Sequence, residues 1–501
     1  MNEPACVPEP ENATREDRAS ATGGGFGRGR GREGNGQGQG QGQGNTPTLT
    51  AFDICCVVIG GIIGVGIFFT PAKVAAAVDT PTQMIAAWCL GGAFAAVGAL
   101  VFADLARRVH GHGGTFIYIH AAFGAWPAFL YGWANWLVIQ SGALGVIGMI
   151  LVDYLDIVIF GAPRTSMDAK IAITAFLIAV FTAVNMLGLR VGKRVQNLLT
   201  VIKVLAICLL VAVAMFATGT PPADAVALPA GLPEHPLARF AGAMLPVLFA
   251  IGGWQQGSFV AGAARRPQRD VPLGILGGVA VVVVVYMAIN VAYIDLLGFH
   301  GAAASKAIGA DAARSALGPS GGRVFAAMVA VSAAGIMNTI CLAPPYVLLT
   351  MAEAGLFPRA FSRRHGEHGT PWVGVLAQGL WATVLLLAVH GIAVFCAGSA
   401  AAAGEQTLAT LGFLCDGVVF VDWVFFTLCS LALLRLRRGG GRVPFQVPGG
   451  PWLAVVFGLG AAAVACGAIA SNPQASLTGA AIVALGVPAA ALLRRRSAAA
   501  G

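Results

Sequence analysis

Gly60-Gly61-Ile62-Ile63-Gly64-Val65-Gly66-Ile67-Phe68-Phe69 lies inside a hydrophobic run that extends from about Ala51 to Val78. The run is long enough to cross a bilayer, yet it carries four glycines within seven residues, Gly60, Gly61, Gly64 and Gly66. Each glycine costs a helix about 1 kcal/mol relative to alanine. Lipid cannot satisfy the N–H and C=O groups that a break would free, so interrupted backbone at membrane depth persists only against protein or a wet cavity. The stretch therefore predicts a broken helix at a site for a polar ligand. Small residues at this spacing also serve close helix packing in membranes, and that reading stands beside the first.

The rest of the chain sets the class. It has 501 residues, of which 57% are hydrophobic and 11% charged, with a mean hydropathy of +0.77. Soluble domains carry about 25% charged residues, so a polytopic membrane protein is expected. Residues 1–48 differ, with the repeat GQGQGQGQG and alternating Arg28, Arg30 and Arg32. That segment has no core to bury and reads as a disordered, basic cytoplasmic tail. It has no apolar h-region and is not a signal peptide.

Twelve spans are expected, at about 52–77, 84–106, 121–152, 169–189, 198–217, 240–261, 272–297, 323–351, 371–392, 405–434, 451–470 and 477–492. With the N-terminus inside, 23 of the 31 lysines and arginines fall on the cytoplasmic side and 7 outside, while Lys203 lies within a span. This asymmetry places both termini in the cytoplasm of a cell (inner) membrane protein. It also accounts for the net charge of +9 without nucleic acid. Nine of the ten cysteines sit in or beside spans, and no Cys/His spacing suggests a metal site. Neither a cofactor nor catalytic residues are expected.

Five spans after the first comes Phe249-Ala250-Ile251-Gly252-Gly253-Trp254-Gln255-Gln256-Gly257, again a glycine pair with polar residues in an apolar run. Interruptions at matching positions of two halves mark a transporter's binding site. A core at 49–434 is expected, made of two inverted repeats at about 52–217 and 240–434. Two peripheral helices and a basic C-terminus would fill 435–501. Broken ends offer N–H groups to a carboxylate and carbonyls to an ammonium, so one pocket can hold an amino acid zwitterion.

Six motifs then appear in order: GGIIGVGIFFTP in the first span, His112-Gly113-Gly114-Thr115-Phe116-Ile117-Tyr118, Asn185-Met186-Leu187-Gly188-Leu189, FAIGGWQQ in the sixth, Arg266-Pro267-Gln268-Arg269-Asp270-Val271-Pro272, and Gly355-Leu356-Phe357-Pro358 with Thr370-Pro371. Over about 52–438 the chain resembles the amino acid–polyamine–organocation (APC) superfamily, in particular the bacterial type of its L-type amino acid transporter branch. The resemblance implies an all-α, LeuT-type 5+5 inverted repeat and an alpha-amino-acid substrate. It implies that the backbone of Val65 and Gly66 takes the substrate carboxylate, and that the carbonyls of Ile62, Phe249 and Gly252 take the ammonium. Trp254 and Gln255 would flank the side-chain pocket, with Phe249 as an inner aromatic gate. Gly60, Gly61, Gly64, Gly66, Gly252 and Gly253 would form the two breaks.

Three departures stand out. The family's Glu pair after the sixth span is replaced by Gly262 and Ala263, which puts a cytoplasmic gating contact in doubt. Pro344-Pro345 stands where the family often has an arginine, and should kink the eighth span. The outer loop 153–168 has no cysteine, so no disulfide-linked heavy chain is expected.

Ionisable residues inside the membrane are functional candidates. Lys203, in Leu199-Thr200-Val201-Ile202-Lys203-Val204-Leu205, could stand in for the sodium of coupled relatives and tie the fifth span to the first, with Thr200 and Ser332 as possible neighbours. Its bland alternative is a snorkelling lysine. Asp104 reads as a local partner of Arg107 and Arg108, and Asp295 as solvated. Asp416 and Asp422 do not share a helix face; either one in the cavity would favour a cationic substrate. The sequence thus predicts a sodium-independent transporter of neutral amino acids, an exchanger or a proton symporter. The alternatives are a basic amino acid or polyamine antiporter and a membrane sensor built on the same fold. An enzyme would need His, Asp or Glu clustered at one depth, and the sequence has no such cluster.

Overall fold

The computed structural model describes residues 48–216, 235–305, 307–365, 369–397, 400–439, 447 and 449–499. The Gly/Gln/Arg-rich tail lies outside these residues. Among them, every regular element is a helix, and one isolated bridge pairs Leu49 with Ala264.

The first span is broken. Thr50 starts α1 (Ala51–Ile62) with a capping box, its hydroxyl accepting from the Asp53 amide and the Asp53 carboxylate accepting from the Thr50 amide. A 3-10 turn at Gly66–Phe68 follows, then α2 (Thr70–Ala77), with Pro71 in the first turn, where its missing N–H costs nothing. Gly60 and Gly61, expected in the interruption, instead lie in the last turn of α1. Packing explains them. A Cβ on Gly60 would overlap the Gln196 amide, and one on Gly61 would come 3.2 Å from the Gly253 carbonyl.

The remaining spans follow the sequence closely. They comprise α3 (Pro81–Arg108), α4 (Thr115–Phe123), α5 (Ala125–Ala134) running through a π-turn at Asn135–Gln140 into α6 (Ser141–Phe160), α7 (Met167–Met186) and α8 (Leu189–Phe216). The sixth span is α9 (Pro236–Ile251) and the short α10 (Gln256–Phe259). After α11 (Pro267–Leu297), two connecting helices, α12 (Phe299–Ala304) and α13 (Ile308–Leu317), lead to α14 (Gly321–Leu342). Pro344 and Pro345 separate α14 from α15 (Pro345–Glu353), as their lost donors require. The chain ends in α16 (Trp372–Ala397), α17 (Ala400–Arg438), α18 (Gly450–Ser471) and α19 (Pro473–Ala499). Nine stretches among the described residues are long and apolar enough to cross a membrane. The two interrupted spans and α17 are the other three expected, and the chain is an all-α, multi-pass membrane protein with the APC fold.

Two polar joints lie near helix ends. Asp104 is fully buried on α3 and accepts from Arg108 Nε at 3.1 Å, as the sequence suggested. It also accepts from Arg437 on α17, through Nε at 2.8 Å and through Nη2. A carboxylate without water needs more than one donor to offset its desolvation, and the second comes from 333 residues away. The other joint bears on the missing Glu pair. Leu49 donates to the Ala263 carbonyl at 3.0 Å, and Arg265 donates back to the Leu49 carbonyl at 2.8 Å. Lys193 on α8 secures this clasp, donating to Thr48 O at 2.8 Å and to Asp53 at 2.9 Å. Gly262 leaves room for His112, whose ring a Cβ there would approach to 2.6 Å.

Candidate substrate site

The two interruptions meet main chain to main chain. Gly253 has φ +122°, a conformation side chains rarely adopt, and a Cβ on it would lie 2.7 Å from the Gly61 carbonyl. Gly253 must be glycine for α1 and α9 to approach this closely, and a Cβ on Gly61 would be tight, 3.2 Å from the Gly253 carbonyl. Their C-terminal ends converge here, and each end carries partial negative charge on carbonyls that have lost their helical donors.

Those carbonyls are held by side chains from other spans. Ile62 O accepts from the Gly64 amide at 2.8 Å and from the Tyr286 hydroxyl of α11 at 3.0 Å. The same hydroxyl lies 3.2 Å from Ala250 O on α9. The next carbonyl along α1, Ile63 O, accepts from Lys203 Nζ at 2.9 Å and from Ser332 Oγ at 3.0 Å. Lys203 is 1% exposed, and its ammonium also reaches Ser332 O at 3.4 Å. The lysine is thus enclosed, and it ties α8 to α1 and α14. Thr200, the other neighbour considered, turns to Cys56 O instead, at 3.1 Å.

Below this point a seam of amides continues the contact. Gln196 donates to Cys56 O and to Thr200, Asn338 donates to Gln196 Oε1 at 2.9 Å, and Asn185 donates to Asn338 Oδ1 at 2.9 Å. The seam joins α1, α7, α8 and α14 through a chain of buried amides, at whose end Asn185 Oδ1 has no partner among the described residues.

The sequence-derived site residues separate into three groups. Val65 and Gly66 are partly buried at the opening of the 3-10 turn, where their amides precede any carbonyl of that turn that could accept them. A Cβ on Gly66 would meet Ala250 at 3.5 Å and Thr70 Oγ1 at 3.9 Å, both ordinary contacts. Gly64 is closed by packing against Ile336, 2.6 Å from a would-be Cβ. Gly252 is partly buried, and its amide donates to Phe249 O at 3.2 Å. Phe249 is 57% exposed. Trp254 does the opposite. It is buried in a wall of rings with Phe426 at 5.6 Å, Phe457 at 6.1 Å and Trp423 at 6.4 Å between centroids. Phe457 belongs to α18, one of the helices expected at the periphery. Gln255 is buried, and its Oε1 has no hydrogen-bond partner among the described residues.

Two residues at the breaks were missed, and the bond that a third makes to the break was not foreseen. Tyr286 sits in Val285-Tyr286-Met287, where hydropathy marks only another apolar residue. Ser332 was noted only as a neighbour. Gln256 is buried beside Gly61 with its Oε1 also without a partner among the described residues, and a second amide in a membrane span was a signal that the sequence did offer. Asp422 on α17 is partly buried and Asp295 exposed; the Asp416 side chain lies outside the described residues.

On the side of the clasp, His112 stacks on Tyr346 with centroids 4.6 Å apart. Burial, with the nearby Arg364 charge adding to it, pushes the imidazole down to about 3, so the ring is neutral near pH 7.

Residues 49–487 match a family model described as amino acid permease. The chain is 25% identical over 404 residues to the Serine/threonine exchanger SteT of Bacillus subtilis (strain 168), which covers 80% of this chain and 86% of that protein. It is 24% identical over 392 residues to the b(0,+)-type amino acid transporter 1 of Oryctolagus cuniculus, 76% of this chain and 74% of the relative. The Cystine/glutamate transporter of Homo sapiens is 27% identical over 440 residues, 86% and 82% of the two chains.

Proposed function

The chain belongs to the amino acid permease family, and from that premise we propose that it exchanges neutral amino acids across the cell membrane by alternating access, without sodium. The observation that carries the proposal is the Lys203 ammonium on the Ile63 carbonyl. An amine held there would take the place that a coupling sodium takes in the relatives that the sequence resembles, and it binds α8 to the broken α1. Substrate carboxylate would lie on the amides of Val65 and Gly66. The ammonium would take the carbonyls of Phe249 and Gly252. Ile62 O is a weaker candidate than the sequence suggested, because two donors already fill its acceptor positions.

The side chains at the breaks support a neutral substrate. Val65, Phe249, Gln255 and Gln256 carry no charge, and a cationic side chain in such a site would need a carboxylate to offset its desolvation. The relative SteT is named as an exchanger of serine and threonine, which agrees with a small neutral substrate. In this reading the repeats span 52–217 and 240–434, residues 435–501 add the last two helices, and both termini face the cytoplasm of the inner membrane.

The test is uptake of a radiolabelled amino acid panel into proteoliposomes, in sodium and in choline buffer, with and without internal amino acid. Equal rates in the two buffers and a strong dependence on internal substrate are expected. A several-fold fall in choline would overturn sodium independence. Uptake driven by a pH gradient into vesicles without internal substrate would replace exchange by proton symport.

A further inference from the structure

His112 lies where the inner ends of three spans meet. Its loop, residues 109–114, joins α3 to α4. Gly113 donates to the Phe259 carbonyl at 2.9 Å, and a Cβ on Gly114 would overlap Ser258 Oγ, so the loop is seated on the end of the sixth span. On its other side, a Cβ on Gly113 would come 2.9 Å from Thr350 Oγ1 of α15, and the imidazole stacks on Tyr346 of the same helix. The ring also lies against Gly262, in the 3-10 turn Ala261–Ala263 that carries the clasp with Leu49. We propose that His112 is a proton-sensitive latch of the cytoplasmic face, holding the inner ends of the sixth and eighth spans together while neutral and releasing them when it takes a proton. The proposal rests on the alternating-access reading above and adds regulation to it.

A neutral ring suits this place and an imidazolium does not. Nδ1 is buried with no hydrogen-bond partner among the described residues, so a proton there would be a donor without an acceptor. Residues 258–263 bring no titratable group to the ring. From α15 come Tyr346, whose hydroxyl also has no partner among the described residues, and Glu353, which accepts from Arg364 at 2.5 Å. In its own loop, His110 turns to Gln268, 3.2 Å away, and at the end of α3 Arg108 is held by Asp104. Arg265 and Arg266, beyond the turn, are exposed. The face of Tyr346 would return part of the cost of a cation. Burial and the Arg364 charge outweigh it, and hold the imidazole at about 3.

Substrate release towards the cytoplasm requires these inner ends to part. Parting α15 from the 261–263 turn wets the ring, and a wet imidazole titrates near 6.5. The open form then binds a proton that the closed form refuses, so acid on that face favours opening. Between pH 7.5 and 5.5 the ratio of open to closed rises about tenfold. The device depends on what stands at position 262. A Cβ there would come 2.6 Å from the ring, so the glutamate expected from the resemblance would leave the imidazole no room.

The experiment uses the full chain in proteoliposomes of uniform orientation and the amino acid it transports best. The pH is varied from 7.5 to 5.5 on one face and held at 7.5 on the other. Acid on the cytoplasmic face should raise the half-saturating concentration of external substrate by up to about tenfold, because fewer molecules then face outward. His112→Asn should transport at pH 7.5 and lose this dependence. A merely structural role would lower the amount of active protein and leave the dependence intact, which overturns the proposal. So does a wild-type protein with no dependence, or one that answers only to external pH. If His112→Asn does not fold, Gly262→Ala keeps the imidazole and takes its space. It should flatten the same response by leaving the ring wet in both forms, and a full response in that variant overturns the latch. Absence of saturable amino acid transport by the unsubstituted protein would sink the functional reading, whereas saturable transport with any of these contrary results sinks the latch alone.

Discussion

Lys203 donates across 2.9 Å to the carbonyl of Ile63, the residue at which α1 stops being helical. The preceding carbonyl, Ile62, is taken by Tyr286. Two successive carbonyls released by the same break are thus held by residues on two other spans. The break is a built feature, since these two carbonyls have named donors where lipid could supply none.

Lys203→Ala should lower transport by tenfold or more, on the order of one hydrogen bond to a charged group, while leaving the substrate's own contacts in place. A Cβ on Gly335 would lie 2.8 Å from Lys203 Nζ. Gly335→Ala should therefore push the ammonium off Ile63 and reproduce part of the loss with the lysine still present. Initial exchange rates in proteoliposomes measure both. Wild-type rates and pH profile in Lys203→Ala would reduce the lysine to a snorkelling side chain.

Size at position 66 separates binding from folding. Gly66→Ala should retain transport within a few-fold, because its Cβ meets its nearest neighbours, Ala250 and Thr70, at ordinary contact distance. Gly66→Leu should abolish substrate binding and leave the protein folded in the membrane, since its branch would fill the space in front of the amide. Substrate-induced thermal stabilisation reads the two variants side by side. Normal stabilisation in Gly66→Leu would place the carboxylate elsewhere.

Asp104→Asn should destabilise the protein by about 3–5 kcal/mol, the usual cost of removing one partner from a buried ion pair. Arg108 and Arg437 bond different oxygens of Asp104, and the variant removes the shared negative charge and turns one of those acceptors into a donor. Adding Arg437→Met should recover part of this, because it removes a buried charge that has lost its carboxylate. Unfolding in detergent, followed by intrinsic fluorescence, gives the comparison. Equal loss in the single and double variants would mean that Arg437 finds another acceptor.

His112 predicts an acid limit to stability. Its folded value is depressed to about 3, while the unfolded ring titrates near 6.5. Below pH 6.5 the unfolded chain binds a proton that the folded chain does not, so stability falls as pH drops towards 3, by up to about 1.4 kcal/mol per pH unit. Above pH 6.5 the residue contributes no pH dependence. His112→Asn should flatten the decline between pH 6 and 4. An unchanged slope would assign the acid sensitivity to other groups.

The spans were legible because hydropathy over some twenty residues is a strong local signal. The two breaks were legible because glycines and amides contradict their apolar surroundings. Lys203 stood out for the same reason, as a charge in a run of aliphatic residues. Tyr286 contradicted nothing around it, and its role arises from two carbonyls 224 and 36 residues away. The same holds for Arg437, whose partner Asp104 had a plausible local arginine in sequence. Gly60 and Gly61 show the opposite error. They were read as the break itself, yet the helix runs through them, and Gln196 and Gly253 decide that they carry no side chain.

The clasp between Leu49 and residues 263–265 is written in main-chain atoms, while only its brace, Lys193, uses a side chain. Exchange of one amino acid for another at 48, 49, 263 or 265 leaves its donors and acceptors in place. A survey that substitutes alanine along the chain would leave every one of these main-chain bonds with its donor and acceptor. Proline is the exception, since Leu49→Pro deletes the amide that bonds Ala263. Whatever restraint this joint places on the start of α1 is therefore hidden from any reading of side-chain identity, and shared ancestry could preserve it with no residue in common.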